Sequence, residues 1–368
     1  LVRKPGSKLL LCAPSPVAAD IICKRLSPHF AGWHKTTDDN RPRMLRLNAV
    51  NRPRHWVVMP ETFKFCIPDG SSFGLPSWLE LSDPTLSVIV STCAMSSFIA
   101  HSIKEGKESS GLNKGFDYVL IDEAAQAVEA EALIAVQCAH SLSPRVVLFG
   151  DSLQLGPQVR SPVSEAQGLG MSLLERLTRT NMYGRAGAPF SNNATAQGGS
   201  SAATFTGETK TASVTKAINI DPMLVTHLKF NYRSHVDILS VSNDLFYGGK
   251  LKACGDPKVT DSLCSWTPSA NLLESQVQHK SCPLWVIGIE GQDAHEIDSP
   301  SFYNDAEVEA VVSVVDQLLS PSTNNNQIHV VADDLGIIAP YWKQVRKIRD
   351  ALRLRNYGSV RVGLVEDY

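Results

Sequence analysis

Short apolar runs, each closed by small or polar residues and several leading into helical patterns, leave this chain few folds to choose from. Lys8 to Cys12 is the first run, followed by a helix-like stretch from Val17 to Leu26. Ser87 to Val90 ends at Ser91-Thr92, Tyr118 to Ile121 at Asp122-Glu123, and Val146 to Phe149 at Gly150-Asp151. Leu335 to Ala339 and Val360 to Val365 repeat the pattern late in the chain. Continuous apolar runs bounded by turn signals suit strands covered on both faces. Their alternation with helices predicts an α/β fold with parallel sheets flanked by helices. Ligands of such sheets bind at the carboxyl ends of the strands, where the polar residues just named fall.

Length and composition add bounds. At 368 residues, the chain suits about two domains. Residues 186–216 are rich in Gly, Ser, Ala, Thr and Asn, which predicts a flexible surface loop or linker. A boundary is expected near Asp221-Pro222, giving domains 1–221 and 222–368. Asn324 to Asn326 predicts another exposed loop. The net charge of −2 offers no global basic field, so a nucleic-acid partner must be held by local contacts. No apolar run is long enough to span a bilayer. The eight cysteines form no CxxC pair and no secretory leader is evident, so reduced buried thiols in a cytosolic or nuclear protein are expected. A zinc site from Cys254, Cys264, His279 and Cys282 fits no common ligand spacing. Both chain ends read as cut through a fold, so the sequence is expected to be a fragment.

Asp122-Glu123 is the strongest chemical signal. One acid at a strand tip can hold a magnesium ion, because hard cations prefer carboxylate oxygen. The other can orient and deprotonate an attacking water. Phosphoryl transfer needs both; the plainer reading is a solvated acidic pair favoured by a helix dipole. In Gly150-Asp151-Ser152-Leu153-Gln154 the glycine permits a tight turn, and Asp151 and Gln154 can reach a neighbouring strand tip. A capped strand-to-helix loop is the alternative. In Asn231-Tyr232-Arg233-Ser234-His235, Arg233 could neutralise charge on a transferred phosphoryl group. Tyr232 could stack on a base or be a buried tyrosine, the preferred reading of an isolated motif, and His235 reads as structural. Ser15 reads as a helix N-cap with Pro16 at the first helical position, a start that presents free N–H groups to an anion.

These motifs, in this order, resemble superfamily-one helicases of the Upf-one-like group, on the Moloney-virus-ten and Armitage RNA-silencing branch. Branch-level hints are Ser161-Pro162 through Gly170, Ser172 to Leu177, Leu245-Phe246-Tyr247 with Leu251 to Cys254, Ser299 to Phe302, and Pro340-Tyr341 with Lys343-Gln344-Val345. Val362 to Tyr368 is similar to the start of a later family motif. The resemblance implies two RecA-like domains, both incomplete, with ATP in the cleft between them and single-stranded RNA across the top. It implies Asp122 as the Mg2+-associated acid, Glu123 as the water-activating base and Gln154 as the phosphate sensor. Arg233 would be an arginine finger, with Tyr232 near the adenine. Pro14, Ser15 and Thr92 would contact the strand from the first domain, and Pro340, Tyr341 and Gln344 from the second. A monomeric RNA helicase motor of the cytoplasm and its ribonucleoprotein granules, working with RNA-silencing or RNA-decay proteins, is the expectation.

Two departures stand out. No GxxxxGK[ST] occurs in residues 1–368, so backbone donors and a lysine for the phosphates are lacking, and the piece alone is expected to be inactive. Pro16 stands where the family usually has Asn. The alternatives are a non-catalytic nucleic-acid clamp and a DNA helicase of the same superfamily.

Overall fold

The computed structural model describes residues 7–33, 41–54, 57, 59–105, 115–140, 142–180, 224–269, 283–296, 299–320 and 330–365. The expected loops at 186–216 and 324–326 lie outside them, as do His279 and Cys282 of the zinc reading and the last residues, 366–368. The chain forms two compact units, Leu1–Thr226 and His227–Tyr368.

The first unit is built on a five-stranded parallel sheet. Its strands are β1 (Leu9–Ala13), β2 (Arg43–Arg46), β3 (Leu86–Thr92), β4 (Tyr118–Ile121) and β5 (Val146–Leu148), in spatial order β2-β3-β1-β4-β5. Every pair is parallel, so all carboxyl ends lie along one edge. Its helices include α1 (Pro16–Leu26), α2 (Ser96–Glu105), α3 (Glu129–Val136), α4 (Pro162–Ala166) and α5 (Leu173–Thr178).

Side-chain alternation sends successive residues of β1 to opposite faces. Leu10 and Cys12 join one core with Ile89, Ile99, Val119, Ile121, Ala132 and Leu173. Leu9 and Ala13 join the other with Ala19 and Cys23 of α1, Met44, Phe65, Val88 and Val90. Both faces are therefore covered, as the unbroken apolar runs require. Strand β2 was not evident in the sequence, because Arg43 and Arg46 interrupt its apolar pattern. Met44 and Leu45 are nevertheless buried on opposite faces of the sheet.

In the second unit, β6 (Phe230–Asn231) pairs in parallel with β7 (Lys252–Ala253), and α6 (Val236–Phe246) lies between them in sequence. Strands β8 (Ala294–His295) and β9 (Phe302–Tyr303) form an antiparallel pair. Helix α7 (Asp305–Leu319), strand β10 (Gly336–Ile338), helix α8 (Trp342–Leu354) and strand β11 (Arg361–Gly363) follow, with β10 and β11 parallel. Val308, Val312 and Val315 of α7 pack with Val345, Ile348 and Leu352 of α8 and with Val362 of β11. Among the described residues no helix is long and apolar enough to cross a membrane.

Cys12, Cys23, Cys66, Cys93 and Cys138 are free, buried thiols. Burial pushes the Cys66 thiol up to about 11 and the Cys138 thiol up to about 12, so both stay protonated and unreactive near neutral pH.

Leu10 is wholly buried at the middle of the sheet. Leu10→Ala should lower unfolding free energy by about 2–5 kcal/mol, the range for a leucine deleted from a packed core. Denaturant unfolding of the two proteins measures it; a loss below about 1 kcal/mol would mean that this layer is not close-packed.

Candidate functional site

The first unit's site is assembled by the ladder itself. The registers pair Ala13 with Thr92, Cys12 with Ile121 and Ile121 with Leu148, so the loops after four strands emerge side by side. Ladder-like bonds continue into those loops. The Cys93 N–H donates to the Ala13 carbonyl at 2.9 Å, and the Asp122 N–H to the Cys12 carbonyl at 2.8 Å. The Ala124 N–H donates to the Phe149 carbonyl at 2.7 Å. Pro14, Ser15, Thr92, Asp122, Glu123 and Gln154 are thereby brought to one edge of the sheet.

Asp122 is exposed, and its Oδ1 accepts from the Glu123 N–H at 3.1 Å. Glu123 adopts a left-handed backbone with φ of 51°. A non-glycine residue pays about 1–3 kcal/mol for such a conformation, and positions of this kind cluster at functional sites. The conformation turns the chain sharply after β4. Glu123 Oε2 accepts from Gln126 Nε2 at 3.4 Å. In the next loop Asp151 organises the turn: Oδ1 accepts from the Leu153 N–H and Oδ2 from Gln154 Nε2, both at 3.0 Å. Gln154 itself is exposed.

Ser15 caps α1, its Oγ accepting from the Ala18 N–H at 3.1 Å with Pro16 at the helix start. Thr92 Oγ1 accepts from the Met95 N–H at 3.2 Å. A tie that the sequence did not reveal holds the next segment. Arg176 Nε and Nη2 donate to the two carboxylate oxygens of Glu129, each at 2.7 Å, and Ser172 caps the helix that carries Arg176. The Ser172 to Leu177 motif thus braces the segment that follows the acidic pair. The charge-assisted fork holds the Glu129 carboxyl below the usual carboxylate range.

In the second unit, Asn231 Oδ1 accepts from the N–H groups of Arg233 at 2.9 Å and Ser234 at 2.8 Å, and Arg233 is exposed. Tyr232 is 73% exposed, so within this unit it is not the buried tyrosine that an isolated motif suggests. Pro340 and Tyr341 are on the surface, with the Tyr341 ring 5.7 Å from that of Phe302. Gln344 corrects an expectation: it is only 4% exposed and does not face a strand. Its Oε1 accepts from the Asn304 N–H at 2.9 Å, and its Nε2 donates to the Asn304 carbonyl at 3.3 Å and to Glu307 Oε2 at 3.2 Å. Gln344 locks the start of α7 to α8, with its amide nitrogen donating twice and its amide oxygen accepting once.

The ligand atoms of His235, Asp261 and Cys264 gather within 4.8 Å of one another. Hydrogen bonding argues against a metal there. His235 Nδ1 accepts from the Asp237 N–H at 3.1 Å, which puts the ring proton on Nε2, facing Asp261 Oδ1 at 3.6 Å. Metal at Nε2 would displace that proton and break the helix cap. His235 is structural, as expected from sequence. Cys254 of the zinc reading is exposed.

The exposed Asp122 carboxylate at a strand tip suits a hard divalent cation. The first unit presents no GxxxxGK[ST] cradle for phosphates, since none occurs in residues 1–368.

A parallel sheet with paired acids at the end of one strand and a polar turn at the end of the next fits a RecA-like nucleotide-binding unit. Comparison with known proteins agrees. Residues 84–162 and residues 211–368 each match a family model described as an AAA domain. The chain is 33% identical over 365 residues to human "RNA helicase Mov10l1", covering 99% of this chain and 25% of that protein. It is 30% identical over 383 residues to chicken "Putative helicase MOV-10", covering 98% and 34%. It is 26% identical over 388 residues to Drosophila melanogaster "Probable RNA helicase armi", covering 100% and 28%. Over nearly its whole length the chain is similar to helicases of the MOV-10 and Armitage branch. It spans between a quarter and about a third of the length of these relatives. AAA domains of helicases bind nucleotide, typically with a divalent metal.

Gly150 sets the approach of the two acidic loops. A Cβ there would stand 2.9 Å from the Ala125 nitrogen and 3.0 Å from the Ala124 nitrogen, both backbone. Gly150→Ala should therefore cost about 1–3 kcal/mol of stability, as overpacking does. Thermal unfolding checks it; an unchanged midpoint would show that the loops do not touch.

Proposed function

We propose that residues 1–368 form the central part of an ATP-dependent RNA helicase motor, which couples hydrolysis to translocation on single-stranded RNA and to its unwinding. One observation carries the proposal. Asp122, Glu123 and Gln154 converge on the carboxyl edge of an all-parallel sheet, beside the Ser15 and Thr92 turns.

The roles follow from chemistry. Asp122 would hold Mg2+, which neutralises charge on the phosphates of ATP when bound. Glu123 takes the proton of the attacking water, and its fixed backbone turn limits the directions its carboxylate can take. Gln154, tethered to Asp151, reports on the terminal phosphate. Arg233 stabilises charge that develops in the transition state, and Tyr232 offers an open ring for the adenine. Pro14, Ser15, Thr92, Pro340 and Tyr341 grip the RNA. Gln344 is left out of that set. The relatives' names, which include "RNA helicase", support an RNA substrate. Work alongside RNA-silencing or RNA-decay proteins in cytoplasmic ribonucleoprotein granules is part of the same proposal.

In the full-length protein, Arg233→Ala should slow hydrolysis by roughly 10³-fold while nucleotide affinity changes little, because an arginine finger acts on the transition state. Glu123→Gln should slow it by about 10²–10⁴-fold. Steady-state phosphate release and titration with a fluorescent nucleotide decide both; near-normal turnover in either variant removes its assigned role.

The grip relies on helix starts and hydroxyls more than on lysine and arginine, so affinity for RNA should fall only shallowly with salt. Preference for RNA requires contacts to the 2′-hydroxyl. Matched RNA and DNA oligonucleotides, compared for ATPase stimulation at several salt concentrations, test this. Equal or stronger stimulation by DNA makes the motor a DNA helicase; no stimulation by either makes it a clamp.

A further inference from the structure

Beneath the first turn of α1 lies a charged cluster that none of these roles uses. Asp20, Arg46 and Arg52 are buried, at 2%, 1% and 8% exposure. Arg46 Nε donates to Asp20 Oδ1 at 2.8 Å, and Arg52 donates to both oxygens of the same carboxylate, at 3.2 and 2.7 Å. Arg52 Nη1 also donates to Asn48 Oδ1 at 2.7 Å. The other donors of Arg46 go to backbone: Nη1 to the Leu47 carbonyl at 2.6 Å and Nη2 to the Pro16 carbonyl at 3.1 Å. Among the described residues no second carboxylate bonds either guanidinium. Among the described residues, two cations thus face one anion.

Burying an unbalanced charge is costly, and apolar packing commonly serves stability as well or better. Its position makes the cost larger. Pro16 opens α1, whose free N–H end already carries partial positive charge, and no acid stands in the first turn. An anion at this helix start would relieve both. A backbone phosphate of single-stranded nucleic acid is such an anion.

We infer that Arg46, braced by Asp20 and Arg52, is the positioning residue of the strand-contacting Pro14-Ser15 turn. It fixes the Pro16 carbonyl, and with it the direction in which α1 presents its first N–H groups. It also places the excess charge of the cluster where a phosphate arrives. This rests on the proposed reading of that turn as a nucleic-acid contact.

The test is a double-mutant cycle in the full-length protein. Affinity for fluorescein-labelled single-stranded oligouridine is measured by anisotropy for the parent, Ser15→Ala, Arg46→Lys and the double variant, with thermal unfolding of each. Arg46→Lys keeps a cation but cannot hold Asp20 and Pro16 together, and should weaken binding by about 5-fold or more. Because both residues act through one turn, the double variant should bind about as well as the weaker single variant. Additive losses, or full affinity in folded Arg46→Lys while Ser15→Ala is weakened, overturn the inference and leave the surface reading intact. Full affinity in Ser15→Ala, or no RNA binding by the parent, overturns the surface reading and this inference with it. Should Arg46→Lys fail to fold, Arg52→Gln removes the excess charge together with the bonds of Arg52 to Asp20 and Asn48 while leaving Arg46 in place; about 3-fold weaker binding is expected, and unchanged binding overturns the inference.

Discussion

The hydrogen-bonded ladder of β1 is the constraint on which the first unit depends. This strand pairs in parallel with β3 on one side and β4 on the other. Parallel pairing means that every strand ends at the same edge, and every return crosses a face of the sheet. The apolar alternation of Leu9 to Ala13 then fills both cores at once. Polar turns that are far apart in sequence become neighbours because no other edge is open to them.

Chemistry at that edge is set by how the turns close. Asp151 binds its own loop and Gln154, while the left-handed Glu123 bends the chain away from β4. The Glu129–Arg176 fork holds the segment after the acids. The side chains proposed for chemistry therefore sit on backbone fixed by other side chains. A similar division holds at α1, where Ser15 is at the surface turn and the Asp20, Arg46 and Arg52 cluster is buried underneath.

Much of this was legible in the sequence, for physical reasons. Tyr118 to Ile121 reads as a strand to the residue, because an apolar run followed by two acids has few other uses. Ser15 and Pro16 announced the start of α1 by capping chemistry. Strand β2 was hidden because Arg46 carries its partner, Asp20, on a helix 26 residues away, and a lone arginine reads as solvent-facing. Gln344 was placed on a surface by its motif, yet its spacing argues otherwise. It stands four residues from Ile348, which is four from Leu352, and that stripe is the buried face of α8. The Glu129–Arg176 pair spans 47 residues, and spacing alone could not show it.

The central claim is that the acidic edge of the first unit serves ATP hydrolysis once a phosphate cradle is supplied. Phosphate release from ATP, measured with single-stranded RNA for the full-length protein beside residues 1–368, tests it most directly. The expected result is RNA-stimulated turnover by the full-length protein and none resolved for residues 1–368, which contain no GxxxxGK[ST] sequence. Absence of turnover in the full-length protein, or equal turnover in residues 1–368, would contradict it.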